Sequence, residues 1–524
     1  MDRHRVALTV AVLPVAVVAI FVVLPVALLL AEGLGPQAWP VLTDGYTWRV
    51  FGYTVGLAAA STLITVVAGL PVAGALHRLQ LPGRQAVLAL LTVAFVLPTV
   101  VVGLAYRVLL PSEWSGTTAA VLAAHVFFNL AVLVRIVGAL WGHIDPRLEA
   151  VGRTLGLSGL RLFRHVTWPL VRPAVAAAAV LVFLFCLSSF GVVLVLGDPA
   201  WPTLEVEIYR RVSQFLDFPA AAVLTGLQLV VVVATLLVAG TLERRAAVRQ
   251  PLAVAAEVRR RISTTGQRWW ASTAYLAGLW VLVPLMALGV ASVSVGGGLG
   301  LDWYRGVISG SATTASAPLL ESLLVSLRTA ALATAIALVL GATAAIALSR
   351  SRSRALDVLL SLPVGVSAVA LGFGLLLMSV NGPVDLRATW WLLPLAQALV
   401  ALPLVLRAVV AVLRSIDSRL FDVAAVLGAG PARAWRTVEG PYLARALLGA
   451  AGLAAAVSLG EFGATAFVSR AGAPTVTIQI VRLLGRPGEA NLGQAAALAV
   501  LLSALVVVVV LLAERARIPG VGAL

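Results

Sequence analysis

The sequence contains no lysine, so its 38 basic residues are all arginine. A P-loop needs a lysine to reach the β- and γ-phosphates of a nucleotide, so no Walker A motif exists and this chain cannot itself supply an ATPase of that kind. The single cysteine, Cys186, excludes a disulfide framework and any paired-cysteine metal motif; it falls inside an apolar run and says nothing about redox compartment. There is no His-Glu-x-x-His pair and no Gly-x-Ser-x-Gly elbow, which leaves an enzyme reading, a resident cofactor or a metal site without support. Charge of either sign is scarce: 11% of the 524 residues are charged and 61% are hydrophobic. With a mean hydropathy of +1.03, the chain cannot be a soluble protein with a polar exterior.

What is present is long apolar runs. A bilayer core takes about 20 apolar residues per helix, and the polar breaks divide the chain into twelve runs of that order, at 6–31, 51–76, 86–110, 117–140, 174–196, 220–239, 271–290, 323–348, 358–378, 390–413, 446–468 and 492–512. The expected fold is an all-α polytopic membrane protein of about twelve transmembrane helices. The first run follows "MDRHR" but is longer than a signal h-region and lacks a small-residue cleavage pattern, so it is expected to be an uncleaved span. If the spans alternate, the arginine-rich segments at 77–84, 242–268, 349–354 and 514–517 share one side with the N-terminal segment. The positive-inside rule makes that side cytoplasmic, with both termini on it. A net charge of +16 would suggest nucleic acid in a soluble protein; here topology accounts for it, and no nucleic-acid partner is expected beside the lipid.

The chain repeats itself. With Gly156 set on Gly428, an offset of 272 residues brings Arg135, Ile144, Asp145, Arg147 and Leu148 onto Arg407, Ile416, Asp417, Arg419 and Leu420. Beyond the glycines, Arg161, Arg164, Val166 and Pro169 meet Arg433, Arg436, Val438 and Pro441, and Phe190-Gly191 meets Phe462-Gly463. The register slips only between the third and fourth spans, where Leu97-Pro98 is matched with Leu362-Pro363. The expected organisation is two six-span domains, 1–245 and 269–524, joined by a basic cytoplasmic linker at 246–268. An even span number makes the repeats parallel, which suits a substrate path at their interface.

Between the fourth and fifth spans of each half lies an unusual segment, "LEAVGRTLGLSGLRLFRHVTWPL" at 148–170 in the first. Leu148, Val151 and Leu155 recur at helical spacing, as do Leu420, Val423 and Leu427 in the copy. Gly156 and Gly428 then break the helix, since glycine readily takes the left-handed conformation. Basic residues, Arg153, Arg161 and Arg433 among them, flank the turn, and Pro169 or Pro441 closes the segment. Such a helix either lies on the membrane interface or docks in a groove of another protein. Two copies with the same punctuation favour docking, as equivalent handles for two equivalent partner subunits.

These segments resemble the EAA loop of ABC-importer permeases, in which Glu-Ala-Ala is followed after three residues by Gly and, after a long gap, by Pro. The thirteen-residue step from Gly156 to Pro169 and from Gly428 to Pro441 matches it in both halves. The resemblance implies that each segment is a coupling helix seated in a cleft of an ATP-binding subunit. It further implies two such subunits, ATP and Mg on them rather than on this chain, and an extracytoplasmic substrate-binding protein. The position six before the glycine, usually Glu, is Asp422 in the second half but Ala150 in the first, where Glu149 stands one place earlier. The acidic contact is thus expected in half two and doubtful in half one. The fused double layout resembles the iron(III)/thiamine group, and "AHVFFN" (124–129), "TLEVEIY" (203–209) and "SLGEFG" (458–463) lean towards the thiamine permeases.

Twelve spans in two parallel halves is also the layout of ion-coupled secondary carriers. Those usually hold acidic or His residues within their spans, and candidates here are few: Glu461, Asp357 and His125. For the path between the halves the candidates are His125, Asn129, Ser189, Phe190, Glu461 and Phe462. His125 and Asn129 lie one turn apart and either bond neighbouring helices or line the path. Glu461, aligned with Ser189, either attracts a cationic substrate or pairs with an arginine such as Arg107. Phe190 and Phe462 either constrict the path at the pseudo-symmetry axis or pack helices. Glu205, Glu207 and Asp217 are expected in outer loops facing a binding protein.

Overall fold

Lipid cannot satisfy a backbone amide, so apolar runs of this length must close their hydrogen bonds within themselves as helices. The computed structural model describes residues 3–246, 259–309, 319–351, 353–382, 385–470 and 472–515, and it is an all-α polytopic membrane protein. Among these residues ten helices are long and apolar enough to cross a membrane: Thr9–Gly33, Gly45–Arg78, Thr118–Trp141, Gly159–Leu187, Phe218–Thr241, Thr265–Ala291, Leu320–Arg350, Leu392–Ser415, Pro431–Gly460 and Glu489–Ala513.

The expected twelve continuous spans are corrected at four places. The run 86–110 is two helices, Arg84–Val96 and Thr99–Leu109, which meet at 109°. The cause is Pro98, which has no N–H and forces Leu97 into an extended conformation. The run 358–378 is likewise broken, into Arg354–Ser361, a 3₁₀ turn at Leu362–Gly365, and Ala368–Asn381. The runs 174–196 and 446–468 stop early, at Leu187 and Gly460, and short buried helices follow at Gly191–Leu196 and Thr465–Val468.

The short helices after each break cross at glycine. A Cβ on Gly372 would stand 2.6 Å from the Ala464 backbone, and one on Gly103 would stand 3.0 Å from Val195. This packing makes Gly103 the counterpart of Gly372 and Pro98 the counterpart of Ser367. It corrects the match of Leu97-Pro98 with Leu362-Pro363, because the second Leu-Pro lies in the 3₁₀ turn ahead of its helix. Elsewhere the 272-residue register holds in three dimensions. Gly69 lets Gly45–Arg78 approach Leu133 of Thr118–Trp141, and Gly341 lets Leu319–Arg350 approach Val405 of Leu392–Ser415.

The first helix of each half packs on the other half. Arg3–Val18 lies along Leu319–Arg350, and Leu24–Gly33 along Ala368–Asn381, where Gly374 admits the Pro25 backbone. Thr265–Ala291 lies against Gly45–Arg78, Arg84–Val96 and Thr99–Leu109. There Trp270 Nε1 donates to the Pro71 carbonyl at 2.9 Å and Tyr275 Oη to that of Pro82 at 2.9 Å.

Candidate functional site

The two surface helices, Pro146–Thr154 and Arg419–Val426, are built by the same local chemistry. Asp145 and Asp417 each accept a backbone N–H two residues on, from Arg147 and Arg419, both at 2.9 Å. A carboxylate there meets orphan amide donors and the positive end of the helix. The C-termini are paired Schellman motifs: Leu157 N–H donates to Gly152 and Gly156 N–H to Arg153, as Ala429 does to Ala424 and Gly428 to Ala425. Gly156 has φ +81° and Gly428 φ +76°, the left-handed geometry expected of the two glycines. The chain then turns through Gly159–Leu162 or Pro431–Ala434 into a five-residue π turn, Phe163–Thr167 or Trp435–Glu439. Pro169 and Pro441 follow, each lacking the N–H that a regular helix would use, which accounts for the local widening.

Each surface helix carries an uncovered apolar ridge. Leu148, Val151 and Leu155 are 40%, 57% and 76% exposed, and Leu420, Val423 and Leu427 are 41%, 55% and 79% exposed. Sequence spacing missed Val426 and Leu160, which extend the ridges at 87% and 79% exposure. Their repeat partners are Thr154 and Ala432, so neither showed as a recurring apolar position. Arg153, Arg161, Arg433 and Asp422 are exposed around the ridges.

Glu149 faces the other way. It is buried, where Arg78 Nη2 donates to it at 2.6 Å, and it forms ion pairs with Arg260 at 2.9 Å and Arg153 at 3.6 Å. Arg78 also donates to the Ile144 carbonyl at 2.9 Å. Arg260 belongs to the segment between the halves, which pairs with the end of Gly45–Arg78 as a parallel bridge to Leu79. The first surface helix is therefore tied to a span and to the inter-half segment. In the second half Arg350, the counterpart of Arg78, pairs instead with Glu439 at 2.8 Å. The repeat positions of the two acids are Phe421 and Thr167, so each of the two arginines is neutralised by a carboxylate from a different place.

The halves touch at the helix breaks. Phe190 and Phe462 are buried and stack, with centroids 5.0 Å apart and planes 10° from parallel. Tyr209 packs on Phe190 at 5.3 Å and on Phe467 at 5.8 Å. Polar side chains hold both breaks. His125 is hydrogen-bonded to Ser61 at 2.8 Å and Ser189 at 2.9 Å, and Asn129 donates to the His125 carbonyl at 2.9 Å and to Cys186 Sγ at 3.3 Å. Of the two readings of His125 and Asn129, helix bridging is what the structure shows. Gln397, at the repeat position of His125, donates to Thr465 at 3.3 Å. Glu461 accepts from the Ala464 and Thr465 amides at 2.7 and 2.9 Å and from the Thr465 hydroxyl. The suggested pairing of Glu461 with Arg107 is corrected: Arg107 is exposed, and the carboxylate caps its own turn.

The expectation that Glu205 and Glu207 face a binding protein is also corrected. Both are buried in the helix Leu204–Ser213, because that helix packs on Phe218–Ala246, Gly45–Arg78 and Ala368–Asn381. Glu207 accepts from Tyr46 Oη at 2.9 Å and from Arg211 Nε at 2.8 Å, while Asp217 pairs with Arg211 at 3.0 Å. Glu205 accepts from Gln228 Nε2 at 2.5 Å. Burial pushes its carboxyl up to about 7, with hydrogen bonding to Gln228 and Ser367 offsetting part of the rise.

Residues 337–516 match the family model described as the binding-protein-dependent transport system inner membrane component. The chain is 32% identical over 209 residues to the thiamine transport system permease protein of Escherichia coli (strain K12), covering 36% of this chain and 39% of that one. It is 32% identical over 213 residues to the thiamine permease of Brucella abortus (strain 2308), covering 37% and 39%. It is also 29% identical over 229 residues to the sulfate transport system permease protein of Salmonella typhimurium, covering 40% and 81%. The chain thus spans about two fifths of the length of the thiamine permeases that it matches. The similarity to binding-protein-dependent transport system inner membrane components is carried by residues 337–516, about a third of the chain.

Proposed function

We propose that the chain is the membrane permease of an ABC importer, with the domains 1–245 and 269–524 enclosing a path between them. The observation that carries this reading is the pair of surface helices with matching caps, matching left-handed glycines and matching exposed apolar ridges. Sealing three or four such side chains in a groove stabilises a complex by about 1.5–3 kcal/mol each before association costs. Two ATP-binding subunits grip the ridges, Leu148, Val151 and Leu155 on one and Leu420, Val423 and Leu427 on the other. Asp422 supplies an acidic contact only in the second half, since Glu149 is turned inward. This end of the bundle is cytoplasmic by its arginines, and ATP and Mg bind on the partners.

ATP-driven closure of the partner dimer moves the two handles together and rocks the halves, parting the Phe190–Phe462 stack. A binding protein delivers the substrate on the opposite side. Thiamine or its phosphates are the favoured cargo, on the similarity to thiamine permeases and on the buried carboxyl of Glu205; iron(III) is the alternative. Labelled thiamine, iron(III) and sulfate should each be offered to cells with and without this gene, with ATP depletion as control. Thiamine uptake that needs both gene and ATP supports the reading. Uptake of another cargo overturns the substrate, and uptake that follows the proton gradient in place of ATP overturns the class.

A further inference from the structure

We propose that Glu205, Tyr209 and the Phe190–Phe462 pair form an organic-cation site in the path, occupied in passing as the halves part. This rests on the transport reading above and narrows its substrate class. The carboxylate has no cationic partner among the described residues, whereas neighbouring Glu207 is fully engaged by Tyr46 and Arg211. Glu205 is fully buried, and its partners among the described residues, Gln228 on Oε1 and Ser367, are neutral. The Gln228 Oε1 atom beside it makes no hydrogen bond, so a buried carboxyl without a counter-charge adjoins an acceptor without a donor, a costly arrangement unless something passes that can satisfy both.

The surroundings state what that is. Tyr209 lies one turn beyond Glu205 on the same helix face and joins it to the rings at the contact between the halves: Phe190 at 5.3 Å, Phe467 at 5.8 Å, and Phe462 stacked on Phe190. Across the interface, Ser367 at the start of Ala368–Asn381 lies close enough to influence the Glu205 carboxyl. A carboxylate one helical turn from a cluster of π faces attracts organic cations, whose charge is spread and weakly hydrated, and repels anions. The site is one-sided: the repeat positions of Glu205 and Glu207 are Thr477 and Gln479. One unpaired negative charge suits a singly charged heteroaromatic cation. As the rings unstack, ring–cation contact replaces ring–ring contact.

The test uses the complete transporter, this chain with its ATP-binding and substrate-binding subunits, in proteoliposomes supplied with ATP and labelled thiamine. Glu205→Gln preserves size and is expected to cut uptake at least about tenfold, the scale of a desolvated charge or cation–π contact. ATPase stimulation by the binding protein should persist, and Glu205→Asp should recover part of the uptake. Should Glu205→Gln fail to assemble, Tyr209→Leu against Tyr209→Phe asks the same question, with loss expected in the first and recovery in the second. If the wild type imports thiamine and Glu205→Gln, or the Tyr209 pair, imports it equally well, the site is overturned while the transport reading stands. If the wild type imports no thiamine but does import sulfate, the cation site and the thiamine cargo fall together while the importer reading stands.

Discussion

Glu205 shows how one buried side chain can weaken a fold that uses it. Folding raises its carboxyl from an ordinary 4.5 to about 7, so the folded state holds the proton more tightly than the unfolded chain. The stability contributed by this group is complete below about 4.5 and is lost as pH rises through about 7. At 1.36 kcal/mol per unit, the loss by pH 8.5 is on the order of 3 kcal/mol. Thermal unfolding in detergent at pH 6 and pH 8.5 should show wild type falling more steeply than Glu205→Gln, which carries no titrating group there. Parallel curves for the two proteins would mean that the carboxyl is not held in the environment described. The residue type at 205 was legible in the sequence, but its burial was not: "TLEVEIY" reads as a charged loop until Leu204–Ser213 is packed on three other helices. Glu461 was misread for a related reason, since hydropathy marks it as an intramembrane charge but cannot show that it caps its own turn through the Ala464 and Thr465 amides.

At the level of elements, the sequence carried the surface helices almost completely, because caps are local. Asp, Leu-x-x-Val and Gly stand in the order that a short capped helix requires, and the repeat shows it twice. The broken spans were less legible. A hydropathy window averages across Pro98 and across the turn at Leu362–Gly365, although Leu97-Pro98 was available as a breaker signal. The early ends at Leu187 and Gly460 depend on crossings such as Gly372 on Ala464, which only the packed structure reveals. Two predictions belong here. Gly428→Pro demands φ near −65° where the chain needs +76° and deletes the N–H bonded to Ala425. It should abolish uptake while the protein still inserts, as should Asp422→Arg through repulsion at the proposed docking face. Normal uptake by either would remove the coupling assignment. Glu149→Gln leaves Arg78 buried without its counter-charge, a loss of about 3–5 kcal/mol for a buried pair. It should lower the melting temperature more than Asp422→Asn, whose carboxylate is exposed. Equal melting temperatures would show that the inward cluster does not anchor the first helix.

In the whole molecule, exchange of first helices decides how the halves can move. Because Arg3–Val18 runs along the second half and Thr265–Ala291 along the first, separating the halves would strip both helices of their partners, including the Trp270 bond to Pro71. A rocking motion in which each first helix travels with the half it packs on keeps those packings and still parts the Phe190–Phe462 stack, which favours rigid-body alternation over dissociation. Two-fold similarity also meets asymmetry: Arg260 and Glu149 bind the inter-half segment to the first surface helix, whereas the repeat position of Glu149 is Phe421, which carries no charge. Continuity of the chain is therefore dispensable for holding the halves, provided that Arg260 stays with the second. A protease site placed between 247 and 258 tests this. After cleavage of the complete transporter, the two fragments should co-purify in mild detergent and keep ATP-driven uptake within about twofold of the uncut protein, since noncovalent packing of this extent outweighs one linker. Fragments that separate would show that the linker, and not the exchanged helices, holds the permease together. Fragments that stay together but lose uptake would show that an uncut chain is needed to couple the first handle to transport.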